Sequence, residues 1–159
     1  MSKTQLVGKI VAALNDSLGL LVNAARASHA EATHESSKAE NKYDTRGLEA
    51  AYLAGGQARQ AKEILDSIKV YESLIVKAFA SGDPVDLTAL VKLETDGAQS
   101  MYFIGPRSGG LEIMSGRNEV TVITPQSPLG QTLIGKKSGE RWTTTLGGLR
   151  VKYKILSVS

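Results

Sequence analysis

The 159-residue chain has no cysteine, which excludes disulfides and thiolate zinc sites and favours an intracellular setting. Proline is absent before Pro84, so nothing of that kind interrupts a helix in the first eighty residues. Aromatics make up 5% of the chain and exclude a large aromatic cluster, while an apolar content of 42% still allows an ordinary core. Histidine is limited to His29 and His34, five apart on a helical pattern, a spacing that does not chelate a metal by itself. P-loop, G-x-G-x-x-G and G-x-S-x-G motifs are all missing, and with them any self-contained active site.

A strong charge of one sign is missing too. The net charge is +3, and residues 1–80 carry ten Lys/Arg against nine Asp/Glu while residues 81–159 carry nine against seven. Neither part is a basic arm or an acidic tail, and charge alone does not indicate nucleic-acid binding. Lys9 and Asn15-Asp16-Ser17 break the N-terminal apolar run. No stretch is expected to reach the roughly 20 apolar residues that span a bilayer. The expectation is a soluble, cytoplasmic protein with no membrane partner.

What is present begins with helical periodicity. Leu6, Ile10, Leu14, Leu18, Leu21 and Ala25 form one stripe, and Leu48, Tyr52, Ala58, Ala61, Ile64, Leu65, Ile68, Tyr71, Ile75 and Ala78 form another. Between them Ser37-Lys38-Ala39-Glu40 has the form of a capping box, in which the Ser hydroxyl and the Glu carboxylate each accept from the other's backbone N–H. One helix must end just before it and another start there. Folding the chain at about residue 39 sets Ile10 opposite Ile68, Leu14 opposite Ile64 and Leu65, and Leu18 opposite Ala61. Residues 1–80 are thus expected to form an antiparallel helical hairpin. Its tip, near residues 35–44, is crowded with Glu31, Glu35, Glu40 and Asp44. Gly55-Gly56 costs a helix roughly 2 kcal/mol relative to alanines, and suggests either close backbone approach or a local irregularity.

Beyond residue 80 the period changes. Gly82 and Pro84 are expected to end the second helix, and Leu87, Ala89, Val91 and Leu93 alternate with polar residues up to the turn at Asp96-Gly97. Further strands are expected at 100–104, 111–114, 120–124, 141–145 and 149–158. In the last, Leu149, Val151, Tyr153 and Ile155 point inward and Arg150, Lys152 and Lys154 outward. Ser127, Pro128 and Gly135 mark a short helix as N-cap, first residue and stop. The fold class is α+β: a helical hairpin, then a small antiparallel sheet domain over residues 84–159 with one helix packed on it.

Two stretches together resemble the bacterial Gre transcript-cleavage factors, GreA and GreB. The run from Val120 to Glu140 is similar to the family's C-terminal signature, with Gln126-Ser127-Pro128-Leu129-Gly130 opening the short helix. Glu40-Asn41 followed by Tyr43 is similar to the family's Asp-x-x-Glu-Asn tip motif, with the tyrosine one place closer. The resemblance implies an FKBP-like C-terminal domain that docks on RNA polymerase through Gln126, Ser127, Pro128 and Leu129. It also implies a hairpin that enters the polymerase's secondary channel within the elongation complex. The tip would then help the polymerase hold a second Mg²⁺, with Glu40 as the metal-directed group and only in that complex. No cofactor is expected in the free protein and no sequence-specific DNA contact. Any RNA cleavage would belong to the polymerase, so the chain itself is not expected to be an enzyme.

Ser37 stands where the family pattern has Asp, and Lys38 adds a positive charge beside it. The helix cap survives that change, since Ser and Asp cap about equally well, but one carboxylate is lost. Glu35 and Asp44 lack the matching position. A second reading, a peptidyl-prolyl isomerase, follows from the FKBP-like resemblance and would need Tyr102, Phe103, Trp142 and Tyr153 to converge on one pocket.

Overall fold

The computed structural model describes residues 1–32 and 55–159. The tip residues Glu35, Ser37, Glu40, Asn41 and Asp44 lie outside the described residues. The chain divides into two compact units, Val11–Glu72 and a second made of Met1–Ile10 with Ser73–Ser159.

Helix α1 spans Lys3–Ala32. It opens on a capping box: the Ser2 hydroxyl accepts from the Gln5 N–H at 3.1 Å, and Gln5 Oε1 accepts from the Ser2 N–H at 3.0 Å. Of its expected stripe Leu6, Ile10, Leu14, Leu18 and Ala25 are buried, each under 9% exposed and joined by Val7 and Val22, while Leu21 is only half-buried because Val22 takes the inward position in that turn. By length and composition Lys3–Ala27 is apolar enough to cross a membrane, which corrects the expectation that no stretch approaches that length. A core helix of a water-exposed fold meets the same test, and this one buries its apolar stripe.

Helix α2 spans Gly55–Glu72 and buries Ala61, Ile68 and Tyr71. Among the described residues a Cβ added at Gly56 would meet nothing within 4 Å, so no close approach to any of them explains that glycine. The helix does not continue to residue 80, and Ile75, placed on the stripe by its spacing, is 83% exposed. Tertiary hydrogen bonds replace helical ones along residues 73–80. The Lys77 N–H donates to Thr88 Oγ1 at 3.0 Å, and the Lys77 carbonyl accepts from Lys3 Nζ. The Lys3 ammonium also lies 4.4 Å over the Phe79 ring, and burial holds it below the usual lysine range. Gly82, with φ of 91°, belongs to a turn well past the helix end.

The sheet contains β1 (Leu90–Thr95), β2 (Ala98–Ile104), β3 (Glu112–Ser115), β4 (Asn118–Ile123), β5 (Arg141–Leu146) and β6 (Leu149–Val158), in the order β3-β4-β2-β1-β6-β5. It is mixed rather than purely antiparallel, because β4 lies parallel to β2 with Phe103 beside Val122. The β3–β4 hairpin folds so that β4, not β3, sits next to β2. Asp96-Gly97 and Gly147-Gly148 both take positive φ at each position, the two-residue hairpin turn those residues favour.

The alternating run does not become a strand at Leu87. Thr88 has φ of 72° and is fully buried, a costly conformation for a β-branched residue. It is held by its N–H to the Ile104 carbonyl at 2.8 Å and by its hydroxyl. Tyr153, Ile155, Val91, Leu93, Ile104, Ile123 and Leu133 form the core, with helix α3 (Pro128–Leu133) contributing to it. Leu149 is 72% exposed instead of inward, since the β5–β6 hairpin runs past β1, whose pairing with β6 stops at Tyr153.

Candidate functional site

The residues that carry the strongest motif come together in one turn between β4 and α3. Ser127 is the N-cap: its hydroxyl donates to the Thr124 carbonyl at 2.7 Å and accepts from the Gly130 N–H at 3.0 Å. Pro128 takes the first helical turn, where its missing N–H leaves nothing unsatisfied. Gln126 is tied in through its carbonyl, which accepts from Gln131 Nε2 at 3.2 Å.

The four predicted docking residues then divide by where they point. Gln126 and Pro128 are exposed, while Ser127 is half-buried in its cap and Leu129 packs against the core. Leu133 is fully buried and anchors the helix from below. Behind α3 the chain is stitched to the start of the domain, the Val85 N–H donating to the Lys136 carbonyl at 2.8 Å and the Gly135 N–H to the Val85 carbonyl at 2.8 Å. The result is a short, rigid, solvent-facing turn with an amide and a proline ring at its crest. It holds no nucleophile–base pair.

The aromatics do not converge. Trp142 and Tyr153 stack with centroids 5.3 Å apart, and Tyr102 packs on the same core, but the strand alternation puts Phe103 on the other face. The Lys136 ammonium lies 4.7 Å over the Trp142 ring. On the face of the sheet opposite those rings, Glu94, Arg141, Thr143, Lys152 and Lys154 with Asp96 and Gly97 line a cavity of about 500 Å³, which the strands reach at Trp142 and Tyr153. Burial pushes the Tyr153 hydroxyl above the usual tyrosine range, with Tyr102 and Asp96 adding to the effect. Among the described residues no three His, Asp or Glu side chains are grouped so as to hold a metal.

Some of this was not read from the sequence. Ser2-Lys3-Thr4-Gln5 carries the capping-box spacing and was legible by the rule applied at Ser37. The close approach of the Thr124 carbonyl to Gly130, which leaves no room for a side chain, and the pinning of Val85 give no local sequence signal.

The fold class is α+β in two units, one helical and one built on a six-stranded sheet on which Ser-Pro-Leu-Gly opens a short helix. The model of the C-terminal domain of the transcription elongation factors GreA/GreB matches residues 80–159, half of the chain, and the chain belongs to that family. No curated protein sequence matches it. Among solved structures, the transcription factor Gfh1 is 16% identical over 98% of this chain and 92% of its own, with a TM-score of 0.40. The Gfh1 protein of Thermus thermophilus is 15% identical over 98% and 94%, with a TM-score of 0.38. The GreA/GreB factor from Nitrosomonas europaea is 13% identical over 71% and 88%, with a TM-score of 0.37. At TM-scores this low the family assignment rests on the match over residues 80–159.

Proposed function

We propose that this protein is a Gre-type transcription factor that binds RNA polymerase through its sheet domain and extends its helical unit into the polymerase's secondary channel, regulating elongation in the cytoplasm. The observation that carries the reading is the match over residues 80–159, with its signature turn built as a rigid crest exposing Gln126 and Pro128. The protein acts as a binding factor, not an enzyme; any hydrolysis belongs to the polymerase. Mg²⁺ enters only as an ion shared with the polymerase, for which Glu40 supplies a hard oxygen. With Ser37 in place of the family's Asp, stimulation of RNA cleavage is weak or absent while the channel is still occupied. Glu35 and Asp44 do not restore the pair.

Two measurements test this together: retention of the protein on immobilised polymerase, and RNA cleavage in a backtracked elongation complex with and without it. Retention with little cleavage is expected. Failure to bind core polymerase at all would sink the proposal. The isomerase reading has less support, because its aromatic residues lie on two faces of the sheet. A peptidyl-prolyl assay on the same preparation, expected blank, separates the two.

A further inference from the structure

Strands β1, β5 and β6 carry a row of positive charge on the face opposite the core. Along β6, Arg150, Lys152 and Lys154 alternate with Val151, Tyr153 and Ile155, so all three project from that opposite face. The pairing sets Arg141 beside Lys154 and Thr143 beside Lys152. Lys92 shares the face on β1, two positions from Glu94, which pairs with Lys154. Five of the nine cations of residues 81–159 thus gather here, against Glu94 and Asp96 within the patch and Glu119 beside Lys92 at its edge.

These charges are not used inside the fold. Among the described residues none of the five cations is in an ion pair. The Asp96 carboxylate accepts instead from the backbone N–H of Lys152, at 3.0 Å. Like charges directly opposite on neighbouring strands destabilise a sheet, and Arg141 with Lys154 is such a pair. A polyanion lying across the face would relieve that repulsion.

What the face holds and lacks selects the polyanion. Protein interfaces are depleted in lysine and enriched in aromatics; this face carries Lys92, Lys152 and Lys154, while the stacked rings of Trp142 and Tyr153 pack on the core side. Single-stranded nucleic acids are held largely by stacking on aromatics, which it does not offer. Exposed Thr143 and Thr145 add hydroxyls of the kind that join Lys and Arg on phosphates. Successive cations on β6 are about 7 Å apart along the strand, a linear array suited to the dense phosphate charge of a duplex. We infer that the β5–β6–β1 face is a sequence-independent binding surface for the phosphate backbone of duplex DNA. It uses none of the exposed residues of the Gln126–Pro128 turn and does not depend on polymerase binding.

The test is fluorescence anisotropy of the full-length protein with a short labelled DNA duplex of arbitrary sequence, across a salt series and without polymerase. Binding is expected with a dissociation constant of roughly 10⁻⁴ to 10⁻⁶ M at physiological salt, steepening as salt falls. Arg150→Gln with Lys152→Gln and Lys154→Gln should weaken it at least tenfold and flatten the log–log salt slope by up to about 3, near 0.9 per lost phosphate contact. Arg59→Gln with Lys62→Gln and Lys137→Gln removes the same charge elsewhere and should change neither. If the face variant melts early, Lys152→Gln alone carries the test, with a slope change of about 1. The inference is overturned if the duplex does not bind at low salt, or if the two triple variants weaken binding equally. Tighter binding of single strands, duplex RNA or polyglutamate than of duplex DNA overturns it as well.

Discussion

A methyl group added to Gly130 would sit 1.8 Å from the carbonyl oxygen of Thr124. Backbone faces backbone there, so no side chain can swing away. Gly130→Ala is therefore expected to destabilise the sheet domain by about 3 kcal/mol or more, through a forced shift of the whole turn. Urea unfolding of the variant beside the wild type checks it; a loss under about 1 kcal/mol would mean that the turn relaxes freely.

The same turn separates capping from recognition. Ser127→Ala should lower stability by about 1 kcal/mol by removing the acceptor for the Gly130 N–H. Gln126→Ala with Pro128→Ala should leave the melting temperature nearly unchanged and weaken polymerase binding. If Ser127→Ala alone weakens binding while the exposed pair does not, the crest is not the contact.

Ile68 is fully buried, and Ile68→Ala is expected to cost about 2 to 5 kcal/mol. The register of the two helical stripes is tested separately by Leu14→Ala and Leu65→Ala. These should couple in a double-mutant cycle, as residues in contact do. Strict additivity would move the fold point away from residue 39.

The Lys77 ammonium, 2.8 Å from the Asp86 carboxylate, holds Asp86 below its usual value of 3.8, helped by the Leu87 N–H. A depressed carboxylate pKa contributes stability that is present above the unfolded value and lost as pH falls through the folded one. Wild type should therefore lose slightly more stability than Asp86→Asn on going from neutral pH to below about pH 4. Both partners are more than half exposed, so the difference should be only a few tenths of a kcal/mol. Carboxyl NMR titration reads the shift directly, and an Asp86 that titrates at its usual value removes the basis for the pH effect.

At the tip, Ser37→Asp with Lys38→Leu should give a gain of RNA cleavage in backtracked complexes. It keeps an N-cap, adds negative charge at a helix start and supplies a second hard oxygen near Glu40. Glu40→Ala should then abolish the gain. Strong cleavage by the natural protein, removed by Asp44→Ala or Glu35→Ala, would assign the metal to another carboxylate.

How far the sequence could be read depended on whether the deciding interaction was local. The buried stripe of α1, the Asp96-Gly97 and Gly147-Gly148 turns, and the Ser127–Pro128 helix start all follow from residues a few positions apart. The end of α2 did not, because Ile75 and Ala78 keep the helical period while Lys77 donates its N–H to Thr88 Oγ1 and accepts from Lys3 Nζ, contacts that a local pattern does not show. Parallel pairing of β2 with β4 depends on which arm of a hairpin sits inside, and alternation is blind to that. Leu149 keeps the inward phase of β6, but no strand of β1 reaches it. The turn at Gln126-Ser127-Pro128-Leu129 was legible as a helix start; its division into two residues that support and two that face outward needed the packing of Leu129 and the cap of Ser127.

Seen as a mechanical joint, the stitch between Val85 and the Gly135-Lys136 carbonyl and amide gives the domain a preferred order of failure. A pull on the chain ahead of Val85 loads two backbone hydrogen bonds before it reaches any ladder of the sheet. Once they part, α3 loses its rear brace while Leu93, Ile104 and Ile155 are still clasped. Traction from that side would thus unseat the Gln126–Pro128 turn first, with the sheet still closed behind it.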